Sequence, residues 1–169
     1  MEATIKPETK SEAFFISMTL SAWNAVNERV TKLLNELAEE QWMTETAPGR
    51  SRGIYLLGHL VAVSDRLITL FGLGERLYPQ LDHPFLTSPD KTVQEIPTFT
   101  ELKKYWTTIN DTLTTKFNTM TPEDWFARHT AVSEEVFAKE PHRNKLNVLI
   151  NRTNHTNYHL GQLIYLKQK

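Results

Sequence analysis

The sequence predicts an all-α protein, a four-helix bundle with a long connection between its second and third helices, and three observations carry that expectation. Apolar residues recur at spacings of three and four over four long segments, the period of a helix with one buried face. The period-two alternation of strands is nearly absent. Between the second and third segments, from Gly72 to Pro97, lie Gly72, Gly74 and four prolines with no clear period, which reads as a partly irregular crossover.

The first helix is expected from about Ser11 to Glu40, with Trp23, Val26, Val30, Leu33, Leu34 and Leu37 on its stripe. Ala47-Pro48-Gly49 ends that region, and Ser51 is placed to cap a second helix running to about Gly72. That helix is apolar over more than one face, so it should be the most buried of the set. Pro97 precedes the third helix, where Thr98-Phe99-Thr100-Glu101 matches a capping box and Leu102, Tyr105, Trp106, Ile109, Leu113 and Phe117 form the stripe. Thr121-Pro122-Glu123-Asp124 has a cap residue followed by proline at the first helical position and opens a short helix through Trp125 and Phe126. Residues 134–142 fit neither helix nor loop clearly. The last helix is expected from about Asn144 to Lys167.

Composition narrows the function classes. The length suits one domain over residues 1–169 with a sizeable core. Nineteen basic and twenty acidic residues are interspersed along the chain, so a basic face for nucleic acid has no support. The first twenty residues do not read as a signal peptide, and no run approaches the ~20 apolar residues of a membrane span. A cytoplasmic protein without membrane partners is the expectation. There are no cysteines, which removes disulfides, thiolate ligands and a cysteine nucleophile together; any metal must be held by His, Asp, Glu or water.

The last helix carries His155-Thr156-Asn157-Tyr158-His159, two imidazoles one turn apart and on one side. The face around them runs Val148, Asn151, His155, His159, Gln162, Leu166, polar at its centre, where a purely structural face would hold Leu, Ile and Val. His59 sits in the otherwise apolar second helix. Alone it reads as a satisfied core residue; with His155 and His159 it completes a three-nitrogen set for Zn²⁺, Ni²⁺ or a similar ion, leaving a position open for water or substrate. Asn151 and Gln162 are candidates to orient the rings. His83, His129 and His142 read as surface residues, and Asp65 with Arg66 as a surface ion pair. No general base stands out.

Tyr55-Leu56-Leu57-Gly58-His59-Leu60 and His155-Thr156-Asn157-Tyr158-His159-Leu160-Gly161-Gln162-Leu163 together resemble the DinB/YfiT-like superfamily, and the resemblance covers essentially the whole chain. One departure is that many members carry arginine after the final histidine, where this chain has Leu160. The resemblance implies an up-down-down-up bundle, often homodimeric, with a divalent ion on His59, His155 and His159. It also implies activities such as thiol S-transfer or isomerisation with a low-molecular-weight thiol and an electrophile as partners. With no cysteine in the chain, any thiolate must arrive on a cosubstrate. Metal-dependent hydrolysis, and a non-catalytic bundle binding a small ligand or a partner, are the competing expectations.

Overall fold

The computed structural model describes residues 7–168; the single-domain reading extends to residues 1–6 and 169, which lie outside them. The described residues are helical throughout, joined by turns, with only two isolated bridges of extended backbone. The long helices are α1 (Pro7–Glu36), α3 (Gly53–Leu70), α4 (Phe99–Phe117) and α7 (Lys145–Leu163). Shorter ones are α2 (Glu39–Trp42), α5 (Pro122–Phe126) and α6 (Glu134–Lys139). α1 packs along α7 and α3 along α4, while α3 also meets α7 and α1 meets α4. One continuous core results. It centres on Trp23, Leu57, Leu60, Trp106 and Leu163, each at most 1 % exposed.

The caps at Thr98 and Thr121 form as their sequences predict. Thr98 Oγ1 accepts from the Glu101 amide while Glu101 accepts from the Thr98 amide, and Thr121 with Asp124 repeats the exchange. The ambiguous 134–142 stretch resolves into α6, capped by Ser133. The last helix starts at its Asn144 cap, and its final residues tighten into a 3₁₀ turn over Ile164–Gln168. The first helix stops at Glu36, and the separate turn α2 buries Trp42 completely.

The expected Ser51 cap is not made. Arg52 holds the cap position with extended backbone, and its own amide donates to Asp90 Oδ2 in the crossover, while the Gly53 amide donates to the Thr44 carbonyl. Ser51 instead gives its carbonyl to the Thr46 amide and hydroxyl. A carboxylate 38 residues away and a carbonyl from the preceding turn stand where a local cap was expected, and local sequence cannot show them.

α3 is the most buried helix, as its two apolar faces require. Among the described residues it alone is long and apolar enough to cross a membrane, but 72 % of that span is buried inside the protein, where it packs on α4 and α7. The crossover is more ordered than its composition suggests, with a 3₁₀ turn at Pro79–Leu81 and a π-helical turn at His83–Thr87. Asp65, expected at the surface beside Arg66, is fully buried. It accepts from Arg76 Nε and from the Leu77 and Tyr78 amides, so it anchors the crossover to α3. Arg66 pairs instead with Asp82, which Arg76 also grips; those two guanidiniums hold the Asp82 carboxyl down at about 2 against its partial burial.

Candidate metal centre

α3 and α7 bring His59, His155 and His159 together, all three half-buried, with their candidate ligand nitrogens within 4.8 Å of one another. His155 Nε2 lies 3.2 Å from His59 Nε2 and 3.1 Å from His159 Nε2. The rings meet edge to face, so stacking does not explain their approach.

Hydrogen bonds at the far side of two rings decide their tautomers. His59 Nδ1 is 3.0 Å from the Phe85 carbonyl oxygen, which can only accept, so a neutral His59 carries its proton there and turns a lone pair inward at Nε2. His159 Nδ1 stands 2.8 Å from Gln162 Oε1 with the same result. One N–H on His155 Nε2 can satisfy only one of these two lone pairs. The other lone pair is left facing a nitrogen that has no second proton to give it.

A proton or a cation at the centre would remove the conflict. Protonation is opposed: burial, then the neighbouring imidazoles and Arg152, hold His155 at about 4, and burial likewise lowers His59 and His159. A divalent metal suits the arrangement. Two imidazole nitrogens sharing a tetrahedral Zn²⁺ stand roughly 3.3 Å apart, given Zn–N bonds of ~2.0–2.1 Å, close to both short separations here. Neutral nitrogen donors with hydrogen-bonded outer nitrogens are the form such a metal takes.

The cluster opens into a cavity of about 350 Å³ between the start of α3, the crossover and the end of α7. Arg50, Ser51, Tyr55 and Tyr158 line it together with the three histidines, and no carboxylate among the described residues does. A larger groove between α1 and α4, about 570 Å³, is lined by amides, hydroxyls and charged groups without a histidine, so the metal-ligand chemistry lies elsewhere. Beside the cluster, Arg152 sits one turn before His155. Its Nε is buried without a partner, no carboxylate among the described residues pairs with it, and burial followed by the Arg66 charge lowers its pKa to about 10.

All three histidines named from sequence therefore meet. Of the two candidate orienting residues, Gln162 binds His159, whereas Asn151 is exposed and touches neither ring. His83 and His142 are exposed, and His129, half-buried, is outside the cluster. Leu160, at the place where many similar chains carry arginine, is 3 % exposed and belongs to the core. Sequence reasoning missed the Phe85 carbonyl. Gly58 was the available signal: a Cβ there would lie 2.5 Å from Phe85 Cζ, so the missing side chain is what lets the crossover approach His59.

A family model described as the DinB superfamily matches residues 22–163, more than four-fifths of the chain and all three histidines. No curated protein matches the sequence.

Proposed function

The chain belongs to the DinB superfamily, and from that membership and the converging imidazoles we propose a metalloenzyme that transfers a low-molecular-weight thiol to an electrophile, with His59, His155 and His159 as the metal ligands. The observation that carries the reading is the His155 Nε2 position, 3.2 and 3.1 Å from two lone pairs it cannot both satisfy. A bound divalent ion, zinc or nickel by the donor set, would supply Lewis acidity that lowers the pKa of an incoming thiol.

The chain's own residues do the rest. His59 is aimed by the Phe85 carbonyl and His159 by Gln162, so neither ring has to reorganise when the site is used. Leu56, Phe85 and Leu86 form the apolar wall of the cavity, against which the carbon part of a ligand can pack. In the transfer, the thiol loses its proton to solvent, its sulfur forms a bond to the electrophilic carbon, and the leaving group departs with the electron pair of the broken bond. Solvent takes the proton because no carboxylate among the described residues lines the cavity. The same absence weighs against metal-dependent hydrolysis, which calls for a base beside the attacking water.

The up-down-down-up order of a four-helix bundle is part of this reading, supported by the α1–α7 and α3–α4 pairings. The homodimer rests on the family resemblance alone. Metal content of tag-free protein tests the first half of the proposal: wild type should hold one divalent ion per chain and His59→Ala and His155→Ala none. Conjugation of an activated aryl chloride by metal-loaded protein tests the second half. Bacillithiol, glutathione and mycothiol should be tried in turn, and inertness toward all three would leave a metal protein that is not a thiol transferase.

A further inference from the structure

We propose that the cavity over the histidine cluster is an anion site that takes a carboxylate-bearing ligand, with Arg50 as the residue that docks the carboxylate. This deepens the metalloenzyme reading by naming a substrate class, and it rests on that reading for the metal.

Among the described residues the cavity offers several donors and no anionic acceptor. The Gln162 oxygen is committed to His159, which leaves its amide N–H groups available, and Ser51 and Tyr158 add hydroxyls. Arg50 completes the set. Other cations around the crossover are matched: Arg52 by Asp90, Lys91 by Glu45, Arg66 by Asp82, and Arg76 by Asp65 and Asp82. Arg50, among the described residues, has no carboxylate partner. Glu45, the nearest acid in sequence, is occupied by Lys91 and the Gly49 amide.

Arg50 is also well placed. It projects from a turn in which Gly49 adopts φ +72°, the Arg50 amide donates to the Ala47 carbonyl, and Thr46 closes the loop on Ser51. The turn fixes the backbone from which the exposed Arg50 side chain reaches the rim of the cavity. Beside the cluster, Arg152 adds a second positive charge that no carboxylate among the described residues pairs with. Three neutral imidazoles do not offset a divalent ion, so the loaded centre would hold an excess of positive charge in a half-buried place. An anionic ligand supplies what the protein leaves out.

Two probe pairs of matched size test this on the full chain by calorimetry: mercaptoacetate against 2-mercaptoethanol, and succinate against succinamide. Zinc-loaded wild type should prefer the anion of each pair by on the order of tenfold, the worth of one charge-assisted contact. Arg50→Gln should abolish the preference at unchanged zinc content, and Arg50→Lys should restore much of it. A preference in the thiol pair alone places the carboxylate on the thiol. One in both pairs makes the site general for carboxylates, and both results support the proposal. Equal affinities within both pairs, or a preference that survives Arg50→Gln, overturn it. Should wild type hold no metal, the metalloenzyme reading fails by itself. The succinate pair on metal-free protein then still decides the anion site, because Arg50 and Gln162 do not depend on the ion.

Discussion

Gly58→Ala probes whether the crossover holds His59 in place. Gly58 lies inside α3 beneath Phe85, and a Cβ there would stand 2.5 Å from Phe85 Cδ1 and Cζ, about an ångström inside ordinary contact. Phe85 is fully buried, so its ring cannot swing into solvent and the π-helical turn that carries it must shift. Overpacking of this kind costs ~1–3 kcal/mol, while replacing a mid-helix glycine by alanine returns ~1 kcal/mol, for a net loss of ~0–2 kcal/mol. The shift also moves the Phe85 carbonyl away from His59 Nδ1, and losing such an orienting bond lowers metal affinity ~10–100-fold. Urea unfolding of metal-free protein reads the first quantity and chelator competition for zinc the second. Gly161→Ala is the control: it lies in α7 with no atom within 4 Å of its would-be Cβ, and it should stabilise by ~1 kcal/mol. If Gly58→Ala behaves like Gly161→Ala, stabilised and with unchanged zinc affinity, the close-approach reasoning is wrong.

Other outcomes follow from the same geometry. Saturating zinc at ~100 times its Kd should raise wild-type stability by ~2.7 kcal/mol, roughly 5–10 °C in Tm for a chain of this size, and His155→Ala should show no such rise in a thermal melt. The three imidazoles have folded pKa values below their ordinary range, so the unfolded chain binds protons first. Metal-free protein should therefore lose stability as pH falls from about 6.5 toward about 4, where His155 titrates in the fold. Urea midpoints across that window should decline, and decline less in His155→Ala. Gln162→Leu should leave the melt of metal-free protein nearly unchanged yet weaken zinc ~10–100-fold by chelator competition. Asp65→Ala, which strips a buried carboxylate from Arg76 and two amides, should cost ~3 kcal/mol in urea unfolding.

What the sequence made legible was whatever depends on near neighbours. Helical periodicity located the four long helices, the boxes at Thr98 and Thr121 marked true starts, and the i, i+4 spacing put His155 and His159 side by side. His59 could be paired with them because a polar ring in so apolar a helix called for a partner. What stayed hidden depends on contacts across the chain. Asp90, 38 residues on, replaced Ser51 at the start of α3, and Asp65 turned inward because Arg76 and two crossover amides came to meet it. The Phe85 carbonyl could not have been named from side-chain chemistry, since any residue at that position has one.

The two groups that aim the imidazoles differ in how evolution can reach them. Gln162 is a side chain, and a single codon change removes or replaces it. The Phe85 acceptor is main chain, so no substitution at residue 85 deletes it; only a change in the course of the crossover can. The ring it steers is thus shielded from substitution at residue 85 itself but exposed to whatever moves the segment between α3 and α4, an insertion, a deletion or a side chain added at Gly58. Lengthening or shortening that segment is a route by which relatives of this chain could re-aim the His59 ring while leaving all three histidines in place.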